Sequence, residues 1–249
     1  MNFIQRCLEL ASHGAGNVAP NPMVGAVIVH NGLIIGEGFH RRYGEAHAEV
    51  NAIASVKDES LLKESTLYVN LEPCSHYGKT PPCAQLIIEK QIPRVVIACE
   101  DPFEAVAGRG VKMLREAGIE VVTGVMESEA KALNKYFITA HTKRRPYIIL
   151  KWAESADGFV DKIRNDRSEP PVKLSSTLTR MLVHKLRSDV QAIMVGTNTA
   201  ILDNPSLKVS HWVGKSPVRI VFDRYGRIPH DSKLFDGTAE TIVIGATDG

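Results

Sequence analysis

Apolar residues recur with two different periods along the chain. Phe3, Ile4, Cys7, Leu8 and Ala11 fall at helical spacing, which predicts a helix from Phe3 to His13. Two short apolar runs follow, Val24 to Val29 and Leu33 to Gly36, joined by His30-Asn31-Gly32. The Asn-Gly pair favours the positive φ angles of a tight hairpin, so the runs are predicted to pair. Helical periodicity returns from Ala46 to Val56, then a strand is expected at Leu67 to Leu71. Further on come a helix from Pro82 to Lys90, a strand from Arg94 to Cys99, and a helix from Gly110 to Ala117 stopped by Gly118. A strand at Ile119 to Val122 and a long helix from Glu127 to His141 complete this part. Strands alternating with helices predict a sheet with helices on both faces.

The basic run Lys143-Arg144-Arg145 and Pro146 interrupt this pattern. We place a domain boundary there, giving segments 1–145 and 146–249. The second segment starts with an apolar stretch, Tyr147 to Trp152, read as a strand. Beyond it a helix is expected from Thr177 to Leu186, with strands at Ala192–Val195, Val218–Phe222 and Thr241–Ile244. No internal repeat is visible.

Composition narrows the class. Of 249 residues, 44% are hydrophobic and 23% charged, as in an ordinary globular protein. Thirty basic residues against 28 acidic ones leave a net charge of +2, without the basic excess of a duplex-binding protein. Arg41-Arg42 and Lys143-Arg144-Arg145 are short runs, more typical of solvated surface. No nucleic-acid partner is therefore expected. The N-terminus lacks a signal-peptide layout, and no apolar stretch approaches the roughly 18 residues that cross a bilayer. A cytoplasmic location without a membrane partner follows as the expectation. In a reducing compartment a Cys pair near a His points to a metal before a disulfide.

Such a group is present. His47-Ala48-Glu49 lies at the start of a predicted helix, Cys74 follows a proline at a strand end, and Cys83 opens another helix. One imidazole and two thiolates suit zinc and leave one tetrahedral position open. Glu49, not itself a ligand, stands where a general acid–base is needed, as in zinc nucleobase deaminases. The usual short form of that signature separates its cysteines by two residues, whereas eight lie between Cys74 and Cys83. The plainer alternative makes Cys74 and Cys83 buried thiols and His47 a surface histidine; it requires three elements to coincide in order by chance. Cys7 and Cys99 read as structural thiols.

Three stretches carry a more specific resemblance: Asn21-Pro22-Met23-Val24-Gly25, His47-Ala48-Glu49, and the run from Glu72-Pro73-Cys74-Ser75-His76 through Lys79 to Pro82-Cys83. They resemble the deaminase domain of the bacterial bifunctional riboflavin-biosynthesis proteins, the RibD (or RibG) family, whose signature has this long insert. The resemblance implies a cytidine-deaminase-like three-layer α/β/α domain. Its reaction would be hydrolytic deamination of 2,5-diamino-6-ribosylamino-4(3H)-pyrimidinone 5′-phosphate, a small pyrimidine ribotide. It further implies zinc on His47, Cys74 and Cys83, proton transfer by Glu49, and substrate contacts from Asn21, His40, His76, Lys79 and Asp101. Phe103-Glu104 departs from the family's Asn-Pro after Asp101-Pro102.

The second segment resembles the family's reductase half, an α/β domain like dihydrofolate reductase that uses NADPH. Matching stretches are Lys151 to Gly158, Leu186-Arg187-Ser188-Asp189, and Ala192 to Thr199 leading to Asp203-Asn204-Pro205-Ser206-Leu207. By position Ala153, Thr199 and Asp203 would face the cofactor, and Arg187 and Leu207 the substrate. Here Lys173-Leu174-Ser175 and Lys208-Val209-Ser210 depart from the family, the latter losing an arginine fork suited to phosphate. The reductase half is expected to be incomplete at its C-terminus, with NADPH-dependent turnover weak or lost. Relatives form dimers or tetramers, so a homo-oligomer is expected. Rival readings are a zinc deaminase of cytosine, guanine or tRNA adenosine, and a non-catalytic zinc-stabilised module.

Overall fold

The structure is a computed structural model that describes residues 2–76, 81–102 and 107–245. The chain divides into two compact units, Met1–Ile148 and Ile149–Gly249.

In the first unit the elements run α1 (Phe3–Ser12), β1 (Gly25–His30), β2 (Leu33–Phe39), α2 (Ala48–Ala54), β3 (Thr66–Val69), α3 (Cys83–Glu89), β4 (Arg94–Ile97), α4 (Arg109–Glu116), β5 (Glu120–Thr123), α5 (Glu127–Leu133) and α6 (Lys135–Lys143). The strands form one sheet in the order β2-β1-β3-β4-β5. β1 pairs antiparallel with β2 and β3, while β3, β4 and β5 run parallel. The β1–β2 hairpin turns at Asn31 and Gly32, whose φ angles of 49° and 76° are those an Asn-Gly turn supplies.

Alternation along β1 assigns its side chains to two layers. Ala26 and Ile28 join Leu67, Val69, Val95 and Ile97 beneath α2, α3 and α4, with Ala52, Ile87 and Leu114 among the buried contacts. Val27 and Val29 face the opposite way and pack with Cys7 and Leu10 of α1. Ile4 and Leu8 of α1 continue that layer with Val96, Ala98 and Ala130 of α5. Both sheet faces are thus covered, the three-layer α/β/α arrangement expected. α2 lies directly on β2: a Cβ at Gly38 would come within 2.3 Å of Ala52 N and 2.6 Å of Ala48 O, so only glycine permits this approach.

The helix expected over Glu127–His141 is two helices. Asn134 ends α5 with φ −98° and ψ 25°. Its side chain is committed elsewhere, accepting from Met23 N at 2.8 Å and donating to Met23 O at 2.9 Å.

In the second unit, α7 (Thr177–Asp189), β6 (Ala192–Val195), α8 (Thr197–Asp203), β7 (Val218–Phe222) and β8 (Thr241–Ile244) form a parallel sheet in the order β6-β7-β8 with its helices. Helix α8 was not expected from the sequence. The strand expected at Tyr147–Trp152 is not formed. Among the described residues nothing pairs with it, and Ile148, Leu150 and Trp152 are exposed.

Candidate metal centre

Three element termini meet at one point. His47 is the N-cap residue of α2, Cys83 is the first residue of α3, and Cys74 follows β3 by way of Asn70-Leu71-Glu72-Pro73. Their ligand atoms all lie within 4.8 Å of one another. His47 Nδ1 is 3.6 Å from Cys74 Sγ and 3.3 Å from Cys83 Sγ. Zinc bonds of about 2.3 Å to sulfur and 2.0–2.1 Å to nitrogen set tetrahedral S···N separations of roughly 3.6 Å. The donor set and its spacing fit zinc.

The electrostatics fit as well. Cys74 is held well below the ordinary thiol range, chiefly by a hydrogen bond from the Cys83 thiol, with further help from His47. The backbone N–H of Cys83 also donates to Cys74 Sγ at 3.2 Å. Cys83 is pushed up by the same pairing. The His47 pKa rises, first because of its hydrogen bond to Cys74. The two cysteines therefore share one negative charge at the N-terminal end of α3, and a bound divalent cation would draw off the remaining proton.

Glu49 stands in the first turn of α2 and is 3% exposed. Burial, reinforced by the negative charge on Cys74, raises its pKa to about 7. A carboxyl poised near neutrality can both take up and give back a proton.

Of the residues expected to contact substrate, Asn21 and His40 are brought together. His40 is buried, donates Nδ1–H to Ala46 O at 3.1 Å, and so accepts at Nε2 from Asn21 Nδ2 at 3.2 Å. Burial lowers the His40 pKa, which keeps this ring neutral. Its ring stands edge-on to that of His47, 5.5 Å between centroids. His76 is exposed and Asp101 half-buried. Lys79, like Phe103 and Glu104, lies outside the described residues.

Several residues that hold this site were missed from sequence. Asn51 Nδ2 donates to Phe39 O at 2.9 Å and Ala46 O at 3.3 Å, tying the end of β2 to the entry of α2. Asn70 accepts from Gly25 N at 2.7 Å and donates to Met23 O at 3.0 Å, fixing the segment that carries Asn21. Glu72 is buried and, among the described residues, accepts four backbone N–H groups. A polar residue inside an apolar strand context was the available signal for Asn70, and the Glu-Pro-Cys run for Glu72.

The residues expected to serve the reductase half all lie in the second unit. Thr199 and Asp203 lie one turn apart on α8, and Asp203 forms an ion pair with Arg164. Arg187 donates from Nη1 to Lys208 O at 3.0 Å, next to Leu207. Leu207 itself is 4% exposed and belongs to the small apolar core of this unit. Ala153 is half-buried in the segment that does not form a strand.

A three-layer α/β/α arrangement with a His-Cys-Cys set, two of its members at helix N-termini, beside a buried glutamate defines a zinc deaminase fold of the cytidine deaminase class. A family model described as the cytidine and deoxycytidylate deaminase zinc-binding region matches residues 1–99, and the RibD C-terminal domain matches residues 146–248. The riboflavin biosynthesis protein RibD of Aquifex aeolicus (strain VF5) is 43% identical over 245 residues, covering 98% of this chain and 67% of its own length. That of Bacillus amyloliquefaciens is 45% identical, covering 98% and 65% respectively. A solved diaminohydroxyphosphoribosylaminopyrimidine deaminase/5-amino-6-(5-phosphoribosylamino)uracil reductase from Thermotoga maritima is 43% identical, covers 99% of this chain and 69% of its own, and superposes with a TM-score of 0.89. This chain belongs to the RibD family of riboflavin-biosynthesis proteins, with a zinc-binding deaminase region followed by a reductase-type domain. It spans about two thirds of the length of these relatives.

Proposed function

We propose that segment 1–145 removes an amino group hydrolytically from 2,5-diamino-6-ribosylamino-4(3H)-pyrimidinone 5′-phosphate, giving the aminouracil ribotide and ammonia. The observation that carries this reading is Glu49, a buried carboxyl in the first turn of the helix that His47 caps, beside a His-Cys-Cys cluster. A purely structural metal site has no use for such a group. His47, Cys74 and Cys83 would hold zinc, which supplies a water activated near neutral pH and held for attack.

Glu49 takes a proton from the attacking water as its oxygen bonds to the ring carbon that bears the amino group. It then delivers a proton to the leaving nitrogen as the C–N bond breaks, and ammonia departs. Asn21, oriented by neutral His40, presents amide groups suited to a pyrimidine edge. Asp101, His76 and Lys79 complete the expected ribotide contacts. NADPH-dependent turnover by segment 146–249 is weak or lost in this reading, since Ser210 stands where an arginine would grip the substrate's phosphate. The enzyme works in the cytoplasm as a homo-oligomer on a small-molecule substrate. No helix of the described residues is long and apolar enough to cross a membrane.

Mass spectrometry of one reaction tests both halves, with zinc-loaded protein, the diaminopyrimidine ribotide and NADPH. The deaminated, unreduced product is expected. Glu49→Gln should lower deamination by at least about 10²–10⁴-fold while zinc stays bound and the fold intact. Rapid NADPH oxidation would refute the reductase reading, and an active Glu49→Gln enzyme would refute the role of Glu49.

A further inference from the structure

Glu72 has no place in the chemistry above, yet it is 4% exposed and, among the described residues, accepts four backbone N–H groups. Its Oε1 accepts from Gly110 N at 2.8 Å and Val111 N at 3.2 Å. Its Oε2 accepts from Gly108 N at 3.0 Å and Asp101 N at 3.1 Å. Its own N–H donates to Cys99 O at 2.9 Å. One carboxylate thus joins the strand end that leads to Cys74, the first turn of α4, and the backbone of Asp101.

The packing around it has no slack. Gly110 runs so close to this strand end that a Cβ would meet Pro73 O at 2.1 Å and Glu72 Oε1 at 3.2 Å. Gly108 sits at φ 71°, which turns its N–H toward the carboxylate. A carboxylate is the one side chain of this shape that can accept four such donors, since an amide replaces one acceptor by an N–H₂ group facing other N–H groups. Packing alone would be served by an apolar residue; four converging donors are not.

We propose that Glu72 is a positioning residue for the ribotide site: it fixes the backbone of Asp101 and the start of α4 against the strand that delivers Cys74. The inference rests on the deaminase reading, in which Asp101 contacts the ribotide. Zinc is held by other residues, so Glu72 acts on substrate binding more than on metal retention.

Glu72→Gln is compared with wild type for zinc content, for kcat and KM with the ribotide, and for backbone hydrogen exchange without substrate. The expected result is one retained zinc, a KM raised about ten- to hundredfold, and a smaller change in kcat. Exchange should quicken at the amides of Asp101, Gly108, Gly110 and Val111. Asp101→Ala should raise KM alone, and adding Glu72→Gln to it should raise KM little further, because both act through one contact. A general loss of folding would instead lower kcat and zinc content together and multiply with Asp101→Ala. That outcome, or an unaltered KM with unaltered exchange, overturns the proposal. Should Glu72→Gln not fold, Glu72→Asp keeps the charge and carries the same comparison. Wild-type protein that leaves the ribotide unchanged overturns the deaminase reading, and is told apart because exchange is read without substrate.

Discussion

The two units treat the faces of their sheets differently. In the first, β1 is buried along nearly its whole length, and α2, α3 and α4 cover one face while α1 and α5 cover the other. In the second, a small cluster of Ala200, Leu207, Val221, Ile228 and Leu234 forms the buried apolar core. Leu150, Trp152, Met194, Ile242, Val243 and Ile244 are exposed among the described residues. Polar cross-links supplement that small core. Arg219 of β7 is 1% exposed and reaches Thr241 Oγ1 at 2.9 Å, Lys233 O at 3.0 Å and Asp236 Oδ1 at 3.0 Å. The His47-Cys74-Cys83 cluster, whose ligand atoms lie within 4.8 Å of one another, is built on the close-packed unit, where neighbours leave side chains few alternatives.

That contrast can be tested by unfolding. Both tryptophans, Trp152 and Trp212, lie in the second unit, so their fluorescence reports on it alone. The largest effect is expected from Leu67→Ala, which empties a fully buried position in the larger cluster and should cost about 2–5 kcal/mol. It should shift loss of helical circular dichroism while leaving the tryptophan transition in place; a shift of both would show the units unfolding as one. Leu234→Ala removes an equally buried side chain from the smaller cluster. Its cost should fall near the low end, about 2 kcal/mol, because few neighbours surround the space, and it should move the tryptophan signal.

Acid sharpens the comparison further. Hydrogen bonds from Thr238, aided by Arg219 and Lys208, hold the Asp236 carboxyl below its ordinary range. A carboxyl with a depressed folded-state pKa stabilises the fold above its unfolded pKa, and that stabilisation disappears as pH falls through the folded value. The tryptophan transition should therefore drop as pH is lowered below about 4, and Asp236→Asn should flatten this dependence. In the first unit Arg6 depresses Glu37 in the same sense, so that unit's own acid sensitivity should survive Asp236→Asn. The smallest effect is expected from Ile242→Thr. Ile242 is 44% exposed on β8, and a β-branched replacement there should change stability by no more than about 0.5 kcal/mol. A cost several times larger would mean that this face of the sheet is covered in solution.

Local chemistry determined much of this protein. The Asn31-Gly32 turn, the helices at α1 and α3, and the run of short strands all follow from residue type and period, because each depends on neighbours a few positions away. The grouping of His47, Cys74 and Cys83, the proposed zinc ligands, was likewise readable, since few other roles demand those types in that order. What sequence could not show was which polar groups are spent on holding backbone. Asn134 breaks a helix because its side chain binds Met23, far away in the chain. The apolar run at Tyr147 has the composition of a strand but no partner to pair with among the described residues. Glu72 is a carboxylate like any other until the fold brings four amide groups around it. Periodicity and motif chemistry are properties of the chain itself, whereas a hydrogen bond between distant segments exists only once packing has brought its two ends together and excluded water.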